Sequence, residues 1–338
     1  MRAASPFSIR LPYGVDDVDP KVRPISTPER QVRCYVRGCR HFVRVPRRGI
    51  RGDICPDHKI YCHWGVGRPT YSYTAARRNV IASPRLFEER IVGHPYKFES
   101  HRLGNENSED ALSWNVFRSL QEAGRLGALA EALIGQRSPV EPRLYMWGIE
   151  LTDDSFLPWE LLDVARERFE SSLPVQRPKT EPDIALHLPG RYLILIEAKF
   201  TSANPSYERG PRRDGHSLTF DELLGIYNAT GQKILNLLAA QASPRVHYQL
   251  WRNMVFAEHM AGDDHPATKA YHVNLVREDN DLVSAHEFAR LMNRGYEERF
   301  RQVTWEWIHR VTQGEGRLRL LHRYLETKTT GLRKAFQL

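Results

Sequence analysis

The chain is poor in cysteine, with four in 338 residues, and three of those fall within 22 positions. A disulfide scaffold spreads cysteines through a short secreted chain, so this usage excludes one and points to thiolate ligands in a reducing compartment. No apolar run reaches the length of about 18 residues that a membrane-spanning helix needs. The opening residues, MRAASPFSIRLPYGVDD, lack the apolar segment of a secretory leader. A cytoplasmic protein with no membrane partner is expected. Internal repeats and low-complexity tracts are also lacking. So are a phosphate-cradling P-loop, a dinucleotide-binding glycine fingerprint and a nucleophile elbow.

Basic charge is present but uneven. The formal net charge is +8, yet residues 1–103 hold 20 Lys/Arg against 9 Asp/Glu, and the remainder holds 29 against 32. A positive field concentrated in one third of a chain favours a polyanion, and nucleic acid is the commonest.

The clustered cysteines lie in that basic third. Cys34-x4-Cys39 is followed after 15 residues by Cys55-x2-His58. Two short ligand pairs separated by a loop are how a chain wraps a tetrahedral ion, and Gly38 and Pro56 supply turn residues beside them. Cys34, Cys39, Cys55 and His58 are therefore the expected structural zinc ligands, with Cys62 as the substitute for the fourth. The segment is too small to build a core unaided, so the ion would supply folding free energy. Arg44, Arg47, Arg48 and Arg51 on the intervening loop are candidates for phosphate or base-edge contacts. Tyr71 and Tyr73 alternate as in a strand.

Further along, Asn107 or Ser108 caps a helix whose first turn holds Glu109 and Asp110. Leu112, Val116, Leu120 and Ala123 form one stripe on it, and Glu109 falls within that stripe. Residues 142–151, PRLYMWGIEL, read as a strand and 158–172 as a helix. The centre of the chain is EPDIALHLPGRYLILIEAKF, residues 181–200. Two strand-like runs flank Pro189-Gly190, and the second ends in Glu197-Ala198-Lys199. After them, TSANPSYERGPRRDGHS is a long polar loop, and its Arg212 and Arg213 are further candidates for nucleic-acid contact. Helices are expected at 221–241 and 246–261, a strand at 271–276 and helices through 284–338.

Strand alternation puts Glu197 and Lys199 on one face. For Asp183 to join them it must lie opposite Glu197, because opposed residues of an antiparallel pair share a face. A two-residue turn at Pro189-Gly190 sets Asp183 opposite Ile196, on the wrong face. A three-residue loop, or one bulge, sets it opposite Glu197.

Pro182-Asp183, thirteen intervening residues and Glu197-x-Lys199 resemble the core motif of the PD-(D/E)xK nuclease superfamily, the restriction-endonuclease-like fold. The resemblance covers roughly residues 105–280. It implies an α/β fold, a mixed sheet with helices on both faces, joined here to a small N-terminal zinc-ribbon-like module. The implied activity is a metal-dependent DNA endonuclease, of the restriction or anti-phage kind, using Mg²⁺ or Mn²⁺. Asp183, Glu197 and the Ala198 carbonyl would hold the ion and Lys199 would serve the attacking water. Glu109 and, on the following helix, Gln232 would face the site. The alternatives are a non-catalytic DNA-binding protein on this fold and an RNA-directed nuclease. A homodimer would serve cutting of both strands. The expected organisation is an arm (1–30), a zinc-binding module (31–66), a connector (67–103), the nuclease core (104–280) and a helical extension (281–338).

Overall fold

The computed structural model describes residues 18–22, 31–45, 52–64, 69–90, 103–137, 139–152, 156–171, 179–204, 207–208, 222, 225–227, 234–236, 239–240, 243, 245–280 and 282–338. They divide into two compact units: residues 1–111 with 319–337, and residues 112–318 with Leu338.

The first unit is built from short hairpins. β1 (Gln31–Arg33) pairs antiparallel with β2 (Phe42–Arg44), and β3 (Ile60–Trp64) with β4 (Pro69–Tyr73). A helix, α1 (Pro84–Arg90), follows. Strands this short cannot bury much, and their inward residues Val32, Val43, Ile60, Tyr71 and Tyr73 form one small core with the four cysteines. The tyrosine alternation expected at 71 and 73 is the buried face of β4.

The second unit begins within α2 (Glu109–Glu122), whose first turn is counted with the first unit, and continues with α3 (Leu126–Ile134). Its strands are β5 (Arg143–Met146), β6 (Ile149–Leu151), β7 (Phe156–Pro158), then, after α4 (Glu160–Glu170), β8 (Ile184–Leu188) and β9 (Tyr192–Ala198). A two-stranded ribbon of β10 (Tyr207–Glu208) and β11 (Arg245–Val246) precedes α5 (Tyr248–Asp264) and β12 (Lys269–Val276). α6 (Leu282–Arg290), β13 (Phe300–Thr304) and α7 (Trp305–Val311) close the unit. The sheet order is β13-β12-β9-β8-β5-β6-β7. β12 runs parallel to both β9 and β13, and the other pairs are antiparallel.

The two central strands, β8 and β9, are buried along their whole length, the pattern of strands covered on both faces. Ala185, Leu193 and Leu195 face α4 and α5, packing with Leu162, Phe169, Trp251 and Met254. Tyr271 lies in register with Ile194, on the opposite face, and its hydroxyl accepts from Gln136 just past α3 at 2.7 Å. Helices therefore cover both sides of the sheet.

Three sequence expectations change. PRLYMWGIEL is not one strand but the hairpin β5–β6, turned at Trp147 (φ 54°) and Gly148 (φ 80°). Gly148 is required twice over, since a Cβ there would meet Leu162 Cδ2 at 3.0 Å. Much of the helix expected at 221–241 lies outside the described residues, but Leu235 forms a β-bridge with Met292, so a single helix does not run through it. The stretch 284–338 is not wholly helical. β13 extends the sheet, and residues 319–337, carrying α8 (Arg319–Thr327) and the small hairpin of β14 (Thr329–Thr330) and β15 (Arg333–Lys334), belong to the first unit.

That return of the chain is fixed by a buried polar cluster. Lys328 Nζ donates to Asn79 Oδ1 at 2.8 Å and lies 3.3 Å from Glu106 Oε2. Glu106 also accepts from the Tyr73 hydroxyl at 2.9 Å and the Thr329 N–H at 2.9 Å. Burial opposes a charge on Lys328, but the Glu106 carboxylate outweighs it and raises the ammonium pKa.

Candidate active site and metal centre

The Cys/His cluster forms from two knuckles. Cys34 leaves β1, its N–H bonded to the His41 carbonyl, and Gly38 (φ 78°) turns the chain so that the Cys39 N–H bonds the Val36 carbonyl. In the second knuckle the Lys59 N–H bonds the Cys55 carbonyl, returning the chain at His58. The ligand atoms of Cys34, Cys39, Cys55 and His58 all lie within 4.8 Å of one another. Cys39 and Cys55 sulfurs are 3.8 Å apart, and His58 Nδ1 is 3.6 Å from Cys34 Sγ and 3.4 Å from Cys55 Sγ. Tetrahedral bonds of about 2.3 Å to sulfur and 2.0–2.1 Å to nitrogen put S···S near 3.8 Å and S···N near 3.6 Å. The spacing fits a zinc ion. Cys62, the substitute ligand, is buried beside Cys34 on β3 but outside this set of four.

With no cation the thiols hold their protons. The Cys62 contact and burial push the Cys34 thiol up, and burial pushes Cys39 up to about 12. Arg44, a candidate DNA contact, is held in a fork by Asp53, with its Nε and Nη2 at 3.0 and 2.9 Å from the carboxylate. Arg47, Arg48 and Arg51 lie outside the described residues, as do Arg212, Arg213 and Gln232.

The second site lies where β8 and β9 part. Leu188 pairs with Tyr192 and Ile184 with Ile196, so Pro189, Gly190 and Arg191 form a three-residue loop. The Arg191 N–H closes it on the Leu188 carbonyl, and Gly190 takes the φ of 70° it needs. Continued by one pair, this register sets Asp183 opposite Glu197, as the hairpin argument required. Here the ladder gives way: the Ala198 N–H donates at 2.9 Å to the side chain of Asp183. Asp183 is half-buried, and its carbonyl accepts from the Trp147 N–H.

Glu197 is 3 % exposed, and both its oxygens are engaged. Lys199 Nζ donates to Oε1 at 2.6 Å and Asn253 Nδ2, from α5, donates to Oε2 at 2.7 Å. Burial works against its charge, but Lys199 and Arg252 with the Asn253 hydrogen bond outweigh it and hold the carboxyl below the usual glutamate range. Arg252 lies over the Tyr248 ring at 5.2 Å, and the Tyr248 hydroxyl is 3.1 Å from that of Tyr227. Behind Lys199, the Trp305 indole N–H bonds its carbonyl at 3.0 Å, which makes Trp305 a core residue.

β12 extends the same face. Asn274 is in register with Glu197 and His272 with Leu195, both fully buried. His272 Nδ1 is 3.0 Å from the Leu195 carbonyl, and burial lowers its pKa to about 4 against the opposing pull of Glu197. Glu109 stands in the first turn of α2, half-buried. Among the described residues no third acidic or histidine ligand atom groups with Asp183 and Glu197. Sequence reasoning missed Asn253, Arg252 and His272. Each lies on an element correctly expected as helix or strand, but nothing in the local pattern marks it.

A seven-stranded mixed sheet flanked by helices, with an acid–lysine pair at the end of a central hairpin, is the restriction-endonuclease-like fold. A family model described as "Restriction Endonuclease associating with ARP" matches residues 50–328, and the chain belongs to that family. No curated protein and no solved structure compared with the chain matches it. Among the described residues no helix is long and apolar enough to cross a membrane.

Proposed function

We propose that the chain is a Mg²⁺- or Mn²⁺-dependent DNA endonuclease of the PD-(D/E)xK type, serving restriction or anti-phage defence. The observation that supports this reading is the hairpin register, which continued by one pair would bring Asp183 opposite Glu197, with Lys199 Nζ 2.6 Å from the Glu197 carboxylate. Two carboxylates and the Ala198 carbonyl are hard oxygen donors of the kind Mg²⁺ takes. Glu197 is kept ionised, which a cation ligand requires. A bound Mg²⁺ or Mn²⁺ supplies a Lewis acid that lowers the pKa of water and offsets charge on the scissile phosphate.

The chain's residues do the rest. Asp183 and Glu197 hold the cation. Lys199 orients the attacking water and places a positive charge against the phosphate. Water adds to phosphorus as one P–O ester bond breaks, so no covalent enzyme intermediate is required. Glu109, in the first turn of α2, and Gln232, outside the described residues, are the further candidates for the site. Zinc held by Cys34, Cys39, Cys55 and His58 fixes a basic module that grips the DNA backbone, and a homodimer supplies two sites for two strands.

Plasmid DNA incubated with the purified chain tests this. Mg²⁺-dependent conversion of supercoiled to nicked or linear forms is expected from wild type and not from Lys199→Ala. Wild type inert on every DNA form contradicts the reading, and metal-dependent cutting of RNA alone would transfer it to an RNA substrate.

A further inference from the structure

Asn253 is fully buried in α5, and the two ends of its amide have different fates. A carboxylate only accepts hydrogen bonds, so the bond to Glu197 Oε2 fixes the flip: Nδ2 meets Glu197 and Oδ1 is left outside that bond. Among the described residues that Oδ1, which is buried, has no hydrogen-bond partner. Asn274, equally buried and in register with Glu197, makes an instructive contrast. Its Oδ1 accepts from Asn204 at 3.0 Å and its Nδ2 donates to Gln302 at 3.2 Å. Asn274 is therefore a closed structural link, whereas Asn253 is satisfied at one end only.

A second orphan lies on this face. His272 Nδ1 meets a carbonyl, so it carries the hydrogen, and Nε2 is a bare acceptor, buried and also without a partner among the described residues. Folded proteins leave few buried polar atoms unpaired, because each forfeits its hydration. Two such acceptors lie on α5 and β12, the elements that flank Glu197, and each can receive a hydrogen-bond donor.

We propose that Asn253 is a positioning residue of this site. Its amide N–H fixes how the Glu197 carboxylate faces a divalent cation, and its Oδ1 takes a hydrogen from a water held beside that cation. The inference rests on the reading of Asp183 and Glu197 as cation ligands. It requires an amide: a carboxylate offers no donor to Glu197, and an apolar side chain offers neither function. Lys199 alone leaves the carboxylate free to swing about its Oε1 contact, so the second tether sets the oxygen presented to the ion.

Mn²⁺ binding to the full chain, followed by electron paramagnetic resonance without DNA, tests it. Asn253→Leu keeps the volume and removes both functions. Its Mn²⁺ affinity is expected to fall about tenfold or more, the loss typical when a ligand's supporting hydrogen bond is removed. Its kcat on DNA is expected to fall while KM stays near wild type. Thermal melting checks the fold, and if Asn253→Leu does not fold, Asn253→Ala is read in the same way. Wild-type Mn²⁺ affinity in the folded variant overturns the proposal. Wild type that binds Mn²⁺ but cuts no DNA, together with a weakened variant, sinks the nuclease reading and leaves the role of Asn253 standing. Wild type that binds no Mn²⁺ overturns both.

Discussion

The Cys/His cluster and the hairpin site both gather candidate ligands at turns, but over different distances along the chain. All four side chains of the Cys/His cluster come from residues 34–58, two knuckles each closed by its own backbone hydrogen bonds. The hairpin site takes Asp183 from just before β8, Glu197 from β9 and Asn253 from a helix 56 residues beyond Glu197. In the first, local geometry fixes the four side chains, and an ion held there would supply folding energy that a small core cannot. In the second, a sheet core covered on both faces fixes the backbone, and the placement of the two acids depends on its register.

This difference predicts that lesions in the two sites separate. Asp183→Ala, Glu197→Ala and Lys199→Ala should each lower DNA cutting roughly a thousandfold, the scale for losing a principal electrostatic group. DNA retention in a gel-shift assay and zinc content should be unchanged. Chelation or Cys55→Ser should instead unfold the zinc module, read as lost hydrogen-exchange protection across residues 31–64, while β8, β9 and β12 stay protected. Joint loss of protection would break the comparison. Smaller is Gly190→Ala: a φ of 70° strains any side chain, costing about 1 kcal/mol and lowering the second unit's Tm by about 2–4 °C.

The smallest effect is in pH. Glu197 has a depressed folded pKa, so its contribution is present above the unfolded value of about 4.3 and lost as pH falls through the folded one. Lys328 has a raised folded pKa, so its contribution is full below about 10.4 and lost as pH rises through the folded value. The second unit should weaken in acid and the first in alkali. Lys328→Met should flatten the alkaline limb in a denaturant titration across pH.

The Cys/His cluster was legible because residue spacing alone specifies a knuckle. The hairpin register was legible for a related reason: a period of two makes it a choice between two faces. What stayed hidden was set by contacts distant in sequence. Trp147 gives no turn signal by itself, and its positive φ is held in a fold where its ring stacks on Trp114, with centroids 6.4 Å apart. Asn253 reads as one polar residue on a helix until α5 is laid over Glu197. Lys328 and Glu106 read as surface charges until the chain end returns to the first unit.

Asp183 and Glu197 are proposed to hold one divalent cation beside Lys199. Anomalous diffraction from a crystal soaked in Mn²⁺ tests this. A peak within bonding distance of a carboxylate oxygen of both Asp183 and Glu197 is expected. No Mn²⁺ at that place, or a peak bound by other residues alone, would contradict it.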